Sequence, residues 1–202
     1  MKKGFFAAFL CALIMVLLPA AVYAMDGTGT EDNPYQISSA DDLEEFRDRV
    51  NDENGKTRNS SACAILKNDI VLNNDVLNSD GSLNEEKAST FEEWTPIGTA
   101  SNPYTGTFDG NGKTISGIYI NGGDVYKGLF GYIGEDGEVK NLGLVDSWIK
   151  GGNNVGGIVG YSSGNIEDCY NTGSVSGGNN VGGIAGTADG ATDCHNEGTV
   201  SG

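Results

Sequence analysis

The chain has 202 residues, with 28 acidic residues against 12 basic ones, so its formal net charge is −16 at neutral pH. Such a charge argues against nucleic acid and against anionic membrane surfaces as partners, because both would be repelled. The length suits a single domain.

Residues 1–24 are predicted to be a secretory signal peptide. Two lysines at positions 2 and 3 precede an apolar run at 5–18, and residues 22–24 (VYA) fit the small-x-small cleavage rule. A transmembrane anchor is the alternative, but the run is short for a span of about 20 residues. Cleavage would remove two of the basic residues, lower the net charge from −16 to −18, and export the chain without membrane insertion.

Residues 38–50 are predicted to form the one helix, after a short strand at 35–37. Ser38 or Ser39 can cap it, and acidic residues occupy its first turns. One apolar stripe follows a helical period and consists of Leu43, Phe46 and Val50. We interpret this amphipathic helix as a lid that shields the start of the repeat fold from other chains. A partner-binding helix is the alternative.

Residues 25–93 are predicted to form an N-terminal cap region, which comprises that strand and helix, a first coil with strands at 63–66 and 69–72, and an acidic surface loop at 73–93. The loop is not an EF-hand calcium site. Its glycine would place Val76 and Lys87 at the first and last ligand positions, where acidic residues are required.

Residues 94–202 carry a repeat that becomes regular towards the end. The string GGNNVGGI recurs with a period of 26, so 151–176 and 177–202 are two copies of one unit. Residues 94–150 hold degenerate earlier copies, since GLFG at 128–131 corresponds to GIVG at 157–160. The larger apolar residues of this segment predict the densest core, formed by Leu129, Phe130, Leu142, Leu144 and Ile149.

The composition of the repeat predicts an all-β fold. Fifteen of the last 52 residues are glycine, and each would cost a helix interior about 1 kcal/mol relative to alanine. Each copy has three short apolar bursts separated by turn-forming residues. No leucine occurs after Leu144, which argues against leucine-rich repeats. The pattern favours a right-handed parallel β-helix, in which each copy is one coil.

Stacked coils would place identical residues above one another at a spacing of ~4.8 Å. Val155 would then lie on Val181 in a dry core. The same register places Ile158 on Ile184, Val175 on Val200, Asn153 on Asn179 and Asn154 on Asn180. The asparagine amides can form hydrogen-bonded ladders along the stack.

The repeat resembles the GLUG motif of bacterial surface proteins, through VGGIVGYSSGNIEDCYNTGSVSG and VGGIAGTADGATDCHNEGTVSG. WTPIG at 94–98, YTGTFDGNGKTISGIYI at 104–120 and GTEDNPYQISSADDLEEF at 29–46 resemble segments that precede GLUG repeats. The resemblance implies a β-helical region of a secreted or surface-anchored protein. Some members of the family are adhesins, and some are attached to immunoglobulin-cleaving metallopeptidases.

Catalytic chemistry is weakly supported by the residues. The single histidine, His195, cannot supply the HExxH pair of a zinc peptidase, and we interpret it as a surface substitution. A polysaccharide lyase or glycosidase needs converging carboxylates. The acids of the solenoid show no aromatic–basic cluster around any pair; they are Asp109, Asp124, Glu135, Asp136, Glu138, Asp146, Glu167, Asp168, Asp189 and Asp193. A weak cation site at 167–168 is less expected than an acidic turn.

Cys169 and Cys194 occupy the same column of adjacent copies. A disulfide is permitted in an exported protein, but parallel neighbours point their Cβ atoms the same way. We therefore expect free thiols there, while a disulfide stays the alternative. No catalytic residue, metal or cofactor is predicted.

The sequence thus predicts an exported, non-catalytic module of a bacterial surface protein, structural or adhesive, with an extracellular glycan or host protein as possible ligand. A polysaccharide-processing enzyme is the alternative. Gly202 would begin a further copy. We expect either further repeats in a longer protein or end-to-end self-stacking at this edge.

Overall fold

The computed structural model describes residues 25–202 and is a parallel β-helix. The predicted signal peptide, 1–24, lies outside the described residues. The longest run of paired strands follows the order β1-β2-β4-β7-β10-β14, and every named strand pairs in parallel with its neighbours. Because each partner lies one coil further along the chain, the strands form a solenoid, and the predicted fold class is confirmed.

The strands are short and separated by tight corners. In chain order they are β1 Tyr35–Ile37, β2 Ala64–Leu66, β3 Ile70–Val71, β4 Thr107–Ser116, β5 Tyr119–Asn121, β6 Phe130–Ile133, β7 Glu138–Val145, β8 Trp148–Lys150, β9 Val155–Gly156, β10 Val159–Glu167, β11 Tyr170–Asn171, β12 Ser174–Ser176, β13 Val181–Gly182, β14 Ala185–Thr192, β15 His195–Asn196 and β16 Val200–Ser201. The helix α1 spans Ala40–Asn51, and a 3-10 turn spans Ala88–Thr90.

The core consists of columns in which apolar residues of successive coils stack in register. One column contains Phe108, Val139 and Ile166, a second contains Ile115 and Leu144, a third contains Ile120, Ile149 and Val175, and a fourth contains Phe130 and Val159. All ten side chains are buried. Each coil therefore covers the apolar row of its neighbour, which a single coil cannot do for itself.

Asparagine ladders form where the sequence predicts them. The amide of Asn179 donates to Asn153 Oδ1 at 3.1 Å, and that of Asn180 donates to Asn154 Oδ1 at 3.0 Å. Asn154 and Asn180 both have positive φ, a backbone region that asparagine tolerates better than most residues. The ladder thus marks a corner at which successive coils turn in the same way.

The helix packs its apolar stripe on the aromatic part of the core. Ser39 caps it by accepting a hydrogen bond from the Asp42 amide. The Phe46 ring lies 5.9 Å from Tyr104 and 5.6 Å from Phe108, measured between ring centroids. The helix begins and ends slightly later than the predicted range 38–50. It is too short to span a bilayer, and no other helix within residues 25–202 has the length and apolar character to do so.

The acidic loop at 73–93 is anchored along several coils. Both carboxylate oxygens of Asp146 accept backbone hydrogen bonds from the loop, at Val76 and Leu77. Val76 is fully buried, and Gly81 lies beside Thr199 of the last coil. The loop is therefore a strap that runs across successive coils and is fixed to their outer face.

The side chains of the coil at 177–202 are less buried than those of the coil before it. Val181 pairs with Val155 as predicted. Val155 is fully buried, whereas Val181 is only half-buried. The expectation of a dry core at Val181 is therefore wrong, because no strand within residues 25–202 pairs with the far side of this coil.

Matched substitutions test this gradient of burial. Val155→Asp should lower the free energy of unfolding by ~3 kcal/mol or more, because the carboxylate would be buried without a partner. Val181→Asp should lower it by about 1 kcal/mol, because water reaches that side chain. Denaturant unfolding followed by circular dichroism measures both. Equal losses would contradict the assigned burial.

The three cysteines among the described residues are free thiols, as expected. Cys169 is buried and donates to the carbonyl of Glu167 at 3.2 Å, and Cys194 repeats this contact with Thr192 at 3.3 Å. Burial raises the pKa of Cys169 to about 12. Since the thiolate is the reactive form, Cys169 should be inert at neutral pH.

Thiol labelling measures this directly. In a chain expressed from Met25, the double variant Cys63→Ser, Cys194→Ser keeps Cys169 as its one thiol. Iodoacetamide at about pH 8, near the ordinary pKa of a thiol, should modify this variant only after denaturation. The converse variant, Cys169→Ser, should be labelled while folded, because Cys63 and Cys194 are partly exposed. Rapid labelling of Cys169 in the folded chain would contradict the buried column.

Candidate binding surface

The single histidine lies on the surface, as the sequence predicts. His195 is exposed and its ring stacks on Tyr170, with centroids 5.4 Å apart and planes 14° from parallel. Tyr170 in turn lies over Gly143 of the preceding coil. The two rings form an aromatic stack along the coil axis. Within residues 25–202, no carboxylate forms a hydrogen bond with either ring.

The outer face of the solenoid brings one lysine between acidic residues. Asp109, Lys140 and Glu167 are register partners on β4, β7 and β10. Lys140 Nζ also donates to Glu138 at 2.6 Å. This hydrogen bond, followed by the charges of the other two carboxylates, raises the pKa of Lys140. The sequence shows no aromatic–basic cluster around any acid pair. Stacking nevertheless places one base, Lys140, between acids, because it makes distant residues neighbours.

At the cation site considered, Glu167 is the last residue of β10 and Asp168 lies in the corner that follows it. Asp168 and Asp193 have φ values of 50° and 53° and occupy the same corner of adjacent coils. Within residues 25–202, no group of three or more histidine, cysteine or acidic side chains is arranged to hold a metal ion. The left-handed backbone of Asp168 and Asp193 explains why aspartate occurs at these two positions.

A cluster of three tyrosines occupies another outer face; we call Tyr126, Tyr132 and Tyr161 the tyrosine cluster. Tyr132 and Tyr161 are register partners on β6 and β10, and their rings stack with centroids 4.6 Å apart and planes 26° from parallel. The Tyr126 ring lies edge-on to both, at 5.6 and 6.2 Å. All three side chains are half-buried. Partial burial, with Tyr161 as neighbour, raises the pKa of Tyr132.

Tyr126 has an unfavourable backbone conformation. Its φ is 58°, in the left-handed region, and every other non-glycine residue with positive φ among residues 25–202 is asparagine or aspartate. A left-handed backbone costs an ordinary residue about 1–2 kcal/mol. The amide of Tyr126 bonds to Asn153 just as that of Asn154 bonds to Asn179, so Tyr126 stands where the next two coils have asparagine. The Tyr126 ring is therefore held at this corner although the backbone conformation there is unfavourable for tyrosine.

A small cavity adjoins the tyrosine cluster. It has a volume of about 190 Å³, and its lining includes Pro96, Thr99, Val125 and Tyr126. Val125 is 48% exposed, one of three large apolar side chains that are exposed among the described residues. The cavity therefore combines an apolar wall with hydroxyl groups and lies next to an aromatic surface.

Sequence reasoning missed this cluster. It aligned GLFG with GIVG but did not extend the alignment to GLFGYI and GIVGYS, which places Tyr132 on Tyr161. The replacement of Asn154 by Tyr126 in the preceding coil was missed as well. Both signals were in the sequence, and they become visible only once the register of the coils is known.

Comparisons with known proteins agree with this architecture. Residues 151–176 match the family described as the GLUG motif. The chain is 35% identical over 158 residues to halomucin from Haloquadratum walsbyi, an alignment that covers 77% of this chain and 2% of halomucin. It is 33% identical over 154 residues to a candidate Gly-rich membrane protein from Evansella cellulosilytica, covering 72% of this chain and 16% of that protein. The chain thus spans a small part of either relative.

A solved structure supports the fold. The crystal structure of a candidate immunoglobulin A1 protease from Bacteroides ovatus superimposes with a TM-score of 0.53 and 20% sequence identity, covering 85% of this chain and 59% of that one. At this identity the likeness shows the fold alone. The resemblance inferred from the sequence is confirmed: this parallel β-helix carries a GLUG motif, at residues 151–176.

Proposed function

We propose that the chain is an exported, non-catalytic module of a bacterial surface protein, which extends from the cell and adheres to extracellular ligands. The observation that carries the proposal is the GLUG-containing solenoid itself. Its interior repeats from coil to coil, while its outer faces carry side chains that packing does not dictate. Such scaffolds present extended surfaces for binding.

The names of the relatives support a location at or outside the cell surface. Halomucin is named as a mucin, and the second relative is named as a membrane protein. The packing of the chain also fits removal of residues 1–24. Met25 is 6% exposed and Asp26 forms a bridge with Gln36 of β1, so the residues that directly follow the proposed cleavage site are packed into the fold.

The chemistry of the outer face supports a non-catalytic role. Lys140, held by Glu138 and flanked by two further carboxylates, has a raised pKa and is protonated at neutral pH. A protonated lysine cannot act as a general base. Asp109 already accepts hydrogen bonds from the Asn111 amide at 2.7 Å and from Asn141 at 3.0 Å. The group therefore consists of one ion pair, Lys140 with Glu138, beside a carboxylate whose hydrogen bonds come from asparagines.

A polysaccharide-processing enzyme is the second candidate, and one observation favours it. A cavity of about 210 Å³ beside β2 and β4 is lined by Asp109, Glu138 and Lys140. Carboxylates that converge on a groove are the requirement for glycoside hydrolysis. Incubation of the purified chain with neutral and uronate glycans should release no reducing ends or unsaturated products. Turnover that is lost in Glu138→Gln would establish the enzyme instead.

Export is tested with the full chain carrying a C-terminal epitope in a bacterial host. The epitope should be found outside the cytoplasm, and the N-terminal sequence of the mature protein should begin at Met25, because cleavage is proposed after Ala24. Labelling of intact cells with antibody against the epitope, before and after protease treatment, measures surface exposure of the chain.

The matched control is Ala24→Arg, which places a large charged residue at the cleavage position and should block processing. A mature protein that retains residues 1–24, or that remains in the cytoplasm, would contradict the proposal.

A further inference from the structure

We propose that the tyrosine cluster and its adjoining cavity form a binding site for a neutral glycan. This inference rests on the adhesive part of the proposed function and assigns that role to one face of the solenoid. Sugar rings present polarised C–H groups, which the negative face of an aromatic ring attracts. They also carry hydroxyls, which the phenol groups and Thr99 beside the cavity can bind.

The geometry of the cluster argues against a cage for an organic cation. Such cages surround the cation with separated aromatic faces. Here the rings of Tyr132 and Tyr161 are in contact, with centroids 4.6 Å apart, so no group fits between them. The Tyr126 ring packs edge-on against the same pair. The three rings are in mutual contact and enclose no space for a cation, so a ring-shaped ligand would lie against the outside of the cluster.

The surrounding charge selects a neutral ligand. Lys127, the base beside the cavity, lies 3.5 Å from the Asp124 carboxylate. Asp189 is close enough to contribute to the raised pKa of Tyr132. The whole chain carries a net charge of −16. Sulfated or uronate-rich polymers would be repelled at this face, whereas an uncharged glycan would not.

The size of the surface favours a glycan over a protein partner. A stable protein interface buries about 800 Å² on each side around an apolar centre. This face offers three half-buried rings and one exposed valine, Val125. The cavity, at about 190 Å³, is smaller than the ~300–1,000 Å³ of pockets for drug-sized molecules, and admits a single ring-sized group.

The repeat itself shows that the cluster is not needed for folding. The next two coils have Asn154 and Asn180 at the position of Tyr126, and the coil after Tyr161 has Thr187 at its position. Thr187 donates to Asn154 there at 2.9 Å, so the same corner closes without aromatic rings. A residue that breaks a local backbone preference without a structural need is a mark of a functional site.

The experiment exchanges tyrosines for the residues that the repeat supplies. Tyr126→Asn and Tyr161→Thr are compared with Tyr170→His, which removes a surface tyrosine from a different column in the same way. Native gel electrophoresis through soluble mixed-linkage β-glucan, galactomannan and α-mannan detects binding, and titration calorimetry with the matching oligosaccharide gives the Kd. Far-ultraviolet circular dichroism and thermal unfolding check each variant.

At least one of the neutral polysaccharides should retard the wild-type chain. Tyr126→Asn and Tyr161→Thr should each weaken the Kd roughly tenfold, the scale of one lost aromatic stack. Tyr170→His should leave binding unchanged. Tyr126→Asn should unfold at the same temperature as the wild type or higher, because asparagine tolerates the left-handed backbone.

The inference would be overturned by retardation with none of the three polysaccharides, by binding that persists in both cluster variants, or by equal weakening in Tyr170→His. A folded chain that binds a host matrix protein through the cluster, and no glycan, would also overturn it. These results are independent of export, because the purified chain is used. A chain that fails to be exported and yet binds glycan through the cluster would contradict the proposed location alone.

Discussion

The fold depends on the in-register stacking of coils that cannot fold singly. Most positions of the inner columns are apolar, and such a residue is fully buried only when the equivalent residue of the next coil lies on it. The contrast between Val155, which is covered on both sides, and Val181, which pairs on one side, shows this dependence within one column. Backbone hydrogen bonds, asparagine ladders and stacked thiols all follow from the same register.

The same constraint separates the interior from the exterior. Inward positions must repeat, so they change little from Ile149 to Val175. Outward positions contact solvent, so they can differ between coils with little effect on the stack. Tyr161 is followed by Thr187 in the next coil, and Tyr170 by His195. A functional residue in such a protein is therefore expected where an outward position departs from the repeat although the change is unfavourable for the backbone. Tyr126 is the clearest case, because its backbone would suit asparagine better.

Much of the fold could be predicted from the sequence, because the period of 26 fixes which residues stack. The asparagine ladders and the pairs in the last two coils follow from it. Burial of Val181 could not be inferred from its own coil, since it depends on a neighbour. The sequence predicts a surface loop at 73–93 but not its anchoring to the coils, because the contact with Asp146 joins residues that are far apart in the chain. The tyrosine cluster joins three segments, and only the register of the degenerate coils brings them together.

Amide hydrogen exchange of this 202-residue chain, with sedimentation to measure whether it is monomeric, tests the stacked register most directly. The strand Val159–Glu167 pairs with strands on both sides, whereas Ala185–Thr192 pairs on one side only among residues 25–202. The first strand should therefore exchange at least ~10 times more slowly than the second, because its opening requires disruption of two neighbouring coils. Equal protection of the two strands in a monomer would contradict the stacking order on which the account depends.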